Sequence, residues 1–138
     1  MNKYGFFWKT MELCAWDNEG NDMLVLEPVI DYLSKKPDSK IYKFHNLMNE
    51  LLYALDTRQL ANQCRQTYEL ANDDTFLYSR CVALINGPDY YEKARSGQNK
   101  DIWGIEFEAI LYVPIWAWAR KHGKEAANYP HTPRFSCV

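Results

Sequence analysis

At 138 residues, 47% of them hydrophobic and 15% aromatic, the chain carries enough apolar material for one packed domain, which excludes a globally disordered polypeptide. Sixteen basic and eighteen acidic residues leave a formal charge of -2, a poor balance for a protein that tracks a nucleic-acid backbone. The longest apolar stretch, 109–119, is too short to span a bilayer, and the N-terminus has no apolar run followed by a small-residue cleavage site. A soluble cytoplasmic protein with no membrane contact is expected.

Phe7, Met11 and Cys14, with Trp8 beside them, fall at helical spacing and predict a first helix over 3–16. The turn formers of 17–22 end it, and Asp22 is suited to cap a second helix carrying Leu26, Val29, Ile30 and Leu33, with Pro28 as an alternative start. After the polar stop at 35–39, with Asp38 or Ser39 as cap, the third helix has the clearest pattern in the chain. Ile41, Phe44, Leu47, Met48, Leu51, Leu52 and Leu55 form one apolar stripe.

Asp56-Thr57 caps a fourth segment in which Leu60, Ala61 and Cys64 share a face with Tyr68. A turn and cap at 72–74 starts a fifth helix with Phe76, Leu77, Arg80, Cys81 and Leu84, closed by Asn86-Gly87. Pro88 opens a short sixth helix holding Tyr90 and Tyr91, and 96–101 is a polar loop. The segment 103–122 mixes two signals. Residues 105–109 alternate like a strand but have no visible partner, and 109–119 is apolar all round like a buried helix; a helix kinked at Pro114 and ended by Gly123 is expected. The sum is an all-α, compact single-domain bundle of six or seven helices in residues 1–123, with an extended C-terminal tail, 124–138, laid over or trailing the domain.

The four cysteines, Cys14, Cys64, Cys81 and Cys137, stand far apart, as do His45, His122 and His131. Metal sites need closely spaced ligand pairs, so neither a metal nor any other cofactor is expected, and the thiols are expected to be reduced. His45 is a helix-surface or satisfied core residue, and Cys137 a tail thiol. No phosphate loop, dinucleotide fingerprint or nucleophile elbow is present, and Gly97 and Gly104 are isolated. Glu106 and Glu108, two apart, point to different helix faces and do not make an acid–base pair. No catalytic residues are assigned.

Arg80 lies on the apolar face of the fifth helix, and a buried guanidinium calls for a carboxylate. Glu50 and Asp56, with Glu106 and Glu108, are candidates for an internal bridge; the alternative is an Arg80 that faces a ligand. Among five tryptophans and ten tyrosines, Trp8 and Trp116 are expected in the core, while Tyr90, Tyr91, Trp103 and Trp118 are candidate surface anchors for a partner, together with Glu106 and Glu108.

Several segments taken in order carry a family likeness: Phe7-Trp8, Leu26-Glu27-Pro28, 50–57, 73–81, Asn86-Gly87 with Tyr90-Tyr91, and 106–113. The most specific are Phe76-Leu77-Tyr78-Ser79-Arg80-Cys81 and Phe107-Glu108-Ala109-Ile110-Leu111-Tyr112-Val113. Together they resemble the bacterial family called domain of unknown function 4240, over nearly the whole chain. The resemblance implies a bacterial origin and a compact helical domain, and transfers no catalytic residue.

Two functions remain. One is a non-catalytic protein-binding module, in particular a bacterial immunity or antitoxin-like protein that neutralises a toxin by binding it; small size, mild acidity and abundant aromatics point to it. The other is a small-molecule binder or enzyme with a pocket between the third, fifth and last helices, built around Arg80 and a carboxylate.

Overall fold

The computed structural model describes residues 3–133; the last part of the expected tail, 134–138 with Cys137, lies outside them. Seven α-helices follow in chain order: α1 (Gly5–Met11), α2 (Asp22–Ser34), α3 (Asp38–Ala54), α4 (Arg58–Thr67), α5 (Asp73–Ile85), α6 (Gly87–Arg95) and α7 (Val113–His122). Short 3-10 turns lie between or after them at Trp16–Asn18, Lys100–Ile102, Glu108–Tyr112 and Ala126–Asn128, and no strand is present among the described residues.

α3 is the centre. Every residue of its apolar stripe is buried, and Phe44 stacks on Phe7 of α1 with ring centroids 5.0 Å apart. Burying each such side chain contributes roughly 1.5–3 kcal/mol, so the stripe alone orders α3 against its neighbours. α1, α5 and α7 pack around α3; α2 lies along α7, α6 on α5, and α4 against the 100–102 turn.

The helix starts follow capping chemistry. Asn21, Thr57 and Asn72 each accept a hydrogen bond from the backbone N–H three residues on, which satisfies one of the donors a helix start leaves open. For α2 the cap is thus Asn21, one residue before the expected Asp22, and Pro28 sits inside the helix rather than at its start. The carbonyl deprived by Pro28 belongs to Leu24, an exposed residue open to water. α3 begins at Asp38 directly after Pro37, with no side-chain cap. Tyr68 ends α4 exposed, off the face it was expected to share.

The expected kinked helix over 103–122 is instead a pinned loop, a 3-10 turn and a short helix. Ser79 Oγ donates to the Ile105 carbonyl at 2.7 Å, and the Phe107 N–H donates to the Tyr78 carbonyl at 3.1 Å, so α5 takes up the backbone groups that a strand would offer. Pro114 lies in the first turn of α7, where its missing N–H costs nothing, and it starts the helix rather than bending it. Gly123 closes α7 at φ 61°, a left-handed conformation that a Cβ disfavours. The chain then returns across α3: the Tyr129 hydroxyl meets His45, His131 Nε2 lies 2.8 Å from Asn46 Oδ1, and the His131 ring stacks on Tyr42 at 4.7 Å.

Outer contacts hold the helix ends. Asp38 at the start of α3 binds Lys121 Nζ at 2.6 Å and His122 Nε2 at 3.0 Å on the last turn of α7. Arg120 forks onto both oxygens of Glu27 on α2, at 2.6 and 2.8 Å. Among the described residues no helix is long and apolar enough to cross a membrane.

Candidate functional site

Arg80, where the sequence centres a pocket, is a core residue at 3% exposure. Its Nη1 donates to the Leu52 carbonyl at 3.0 Å, its Nε reaches the Phe76 carbonyl at 3.4 Å, and the guanidinium lies 4.4 Å over the Phe76 ring. The Tyr91 hydroxyl donates to the neighbouring Leu51 carbonyl at 2.6 Å. Both acceptors belong to the last turn of α3, where helix carbonyls run out of backbone partners and the helix dipole is negative. The end of α3 therefore supplies part of the negative potential around the guanidinium. Glu50 is engaged elsewhere, with Lys3 Nζ at 2.6 Å and the Tyr4 hydroxyl at 3.3 Å, and Asp56 is exposed just past α3.

Of the expected surface aromatics, Tyr91, Trp103 and Trp118 are buried and only Tyr90 is half-buried. Trp103 is drawn in because its indole N–H finds Gln63 Oε1 at 2.6 Å, while Gln63 Nε2 holds the Gly97 carbonyl at 3.0 Å. Trp118 packs between His122 and Tyr129. Trp8 is core as expected, and Trp116 is half-buried beside Tyr112.

A cavity of about 450 Å³ lies where α3, α5 and residues 108–115 meet. Met48, Leu77, Leu111, Ile115 and Pro133 make its apolar wall. His45 and Asn49, one helical turn apart on α3, add polar groups to that wall, and Asp74, Tyr78, Tyr112 and Thr132 add more. The sequence places a pocket between these three elements, but around Arg80 rather than His45.

His45 is 7% exposed. Its Nδ1 lies 2.9 Å from the Tyr129 hydroxyl, and Nε2 has no hydrogen-bond partner among the described residues. Nε2 is not sealed either, since no fully buried side-chain polar atom there lacks a partner. Burial pushes the imidazole pKa down to about 4, with His131 nearby adding to the effect, so the ring is neutral at pH 7. Burial also raises the Tyr129 phenol, which keeps its proton.

At the other side of the cavity the Tyr112 hydroxyl donates to Glu108 Oε2 at 2.5 Å, and that bond, with burial, pushes its pKa up to about 12. Tyr78 is raised by burial and then by Glu108 and Asp74. Tyr112 also borders a second, shallower depression of about 390 Å³, lined by Asp22, Glu106, Glu108, Ala109 and Trp116. Glu106 and Glu108, which the sequence sets on different faces, thus line one groove, because the backbone there is not α-helical. Exposed Trp16, Met23 and Ile105 stand at or beside its residues in the chain or pack on Phe107.

Among the described residues no cluster of three His, Cys, Asp or Glu side chains could hold a metal ion, and Cys14, Cys64 and Cys81 are buried and in no disulfide. The chain belongs to the family described as "Protein of unknown function (DUF4240)", whose model matches residues 1–119. No curated protein and no solved structure matches it. The family match spans every cavity residue except Thr132 and Pro133, and ends before Tyr129.

Proposed function

We propose that the domain binds a small, mainly apolar molecule in the cavity between α3, α5 and residues 108–115. The observation that carries this is a void of about 450 Å³ with a buried histidine whose second nitrogen is unspent. Ligand sites occupy roughly 300–1,000 Å³ and pair apolar walls with a few placed polar groups. Binding is favoured over nucleophilic catalysis because no cysteine or serine is among the described lining residues, and the bonded partner of His45 is a phenol. The three buried thiols suit a reducing cytoplasm.

The test is a fragment screen read by thermal shift and by amide chemical shifts on the full chain. Hits should raise Tm and move resonances of the cavity residues. Ile115→Trp, which fills the void from its half-buried edge, should abolish those shifts while the free variant stays folded. Hits that bind the filled variant equally well would remove this reading.

A second reading rests on the separate groove of Asp22, Glu106 and Glu108 with Tyr112 and Trp116. Acidic groups beside exposed aromatics suit the basic face of a partner protein, as in an immunity protein that neutralises a toxin. A stoichiometric, basic partner that is toxic when produced alone, released by high salt and lost by the Glu106→Lys/Glu108→Lys double variant, would support it. Retention by that variant would end it.

A further inference from the structure

We infer that residues 125–133 form a strap that lifts off α3 to open the cavity and closes it again by docking Tyr129 and His131. This rests on the ligand-binding reading above and names how that site is entered.

Thr132 and Pro133 are among the described lining residues, so part of the cavity wall moves wherever this segment moves. The segment is held to the body by side chains. The Tyr129 hydroxyl lies 2.9 Å from His45 Nδ1, and His131 Nε2 lies 2.8 Å from Asn46 Oδ1. The His131 ring stacks on Tyr42, and Tyr129 makes T-shaped contacts with Tyr42 and Trp118 at 5.9 and 6.0 Å. Tyr42, His45 and Asn46 stand three and four positions apart, so the docking ground is one face of α3.

Its backbone is differently placed. The N–H groups of Asn128 and Tyr129 bond inside the segment, to the Glu125 and Ala126 carbonyls. Among the described residues no backbone group of 130–133 bonds to the body. Pro130 and Pro133 have no N–H to give, and each favours extended chain in the residue before it. The loop before α7 is the contrast: there the Phe107 N–H donates to the Tyr78 carbonyl of α5, and lifting that loop breaks a backbone bond. Lifting the strap costs two side-chain hydrogen bonds and the ring contacts, which is a local opening rather than global unfolding. Upstream, α7 stops at Gly123, and residues 123–128 are all exposed, so the chain turns there without disturbing packed side chains.

The test places a thiol in the cavity wall and measures how often it is reached. Met48→Cys is made in the full chain with Cys137→Ser, and alkylation by iodoacetamide is followed for each cysteine by peptide mass spectrometry. Where reclosing is fast, the rate tracks the population of the open form. Tyr129→Ala should speed alkylation at position 48 about tenfold, and His131→Ala should speed it about threefold. Cys64, buried on α4 and outside the strap's contacts, should keep its rate in both variants. Should Tyr129→Ala fail to fold, His131→Ala decides, and Leu77→Cys replaces Met48→Cys as reporter if the latter is unstable. Unchanged rates at the cavity thiol overturn the inference, and so does equal acceleration at Cys64, which would mark a general loosening. No ligand enters this experiment, so a failed fragment screen leaves the strap standing, and a closed strap leaves the ligand-binding reading standing.

Discussion

α3 touches two buried polar groups, and they have opposite fates. At its C-terminal end Arg80 and Tyr91 donate into the carbonyls of Leu52 and Leu51, and the surroundings close over them. In its N-terminal half His45 uses one nitrogen on Tyr129, and the residue lines a cavity of about 450 Å³. Both side chains are buried to a similar degree, so burial does not separate structure from function here. What separates them is whether hydrogen-bonding capacity remains unspent beside space that a molecule could fill.

If Arg80 is a strut, its loss should damage the fold and leave the cavity alone. Arg80→Met keeps the length of the side chain but removes charged donors from buried carbonyls, and should cost about 3 kcal/mol in urea unfolding. Affinity for any cavity ligand, measured where the variant is fully folded, should be unchanged. A variant of wild-type stability, or one with altered affinity, breaks the comparison.

His45 should reveal itself through pH. Its folded pKa, about 4, lies below the unfolded value near 6.5, so the unfolded chain binds the extra proton first. Stability is therefore complete above pH 6.5 and is lost as pH falls toward 4. Between pH 6.5 and 5 the loss should be roughly 2 kcal/mol at 1.36 kcal/mol per unit. His131, which faces His45 and is also lowered by burial, adds in the same direction. His45→Gln should flatten most of the dependence; a wild-type curve that is already flat over this window contradicts a neutral, buried His45.

The same contrast explains what could be read in the sequence. The α3 stripe, the caps at Thr57 and 72–74, and the Gly123 stop are local patterns, and each stands in the structure. The destination of Arg80 was not local, because its acceptor is a helix-end carbonyl 28 positions away. His45 looked ordinary for the same reason: its hydrogen-bond partner is 84 positions downstream. Tyr91, Trp103 and Trp118 are buried because distant polar partners or rings receive their amphipathic edges, which composition does not reveal. A cavity does lie between α3, α5 and residues 111–115, and His45 rather than Arg80 is among its described lining residues.

The smallest effect concerns the contact that holds α7 against the start of α3, and so one wall of the cavity against the other. Asp38 accepts from Lys121 and His122, and the Lys121 bond, followed by His122, holds its carboxyl below the usual range. All three side chains are about a third exposed, so solvent screens the cluster and its worth is that of a good surface pair rather than a buried one. Asp38→Asn should cost about 0.5–1 kcal/mol, counting the loss of a carboxylate from the first turn of α3. The loss should shrink in high salt and vanish as pH falls through the lowered Asp38 value, because the wild-type carboxylate is then protonated too. A ligand that bridges α3 and α7 through the cavity substitutes for this surface tie, so saturating ligand should raise the Tm of the Asp38→Asn variant by at least as much as it raises the wild type. A ligand that stabilises wild type but fails to stabilise the variant would show instead that Asp38 sets the cavity's shape, and the contrast between strut and site would have to be drawn elsewhere.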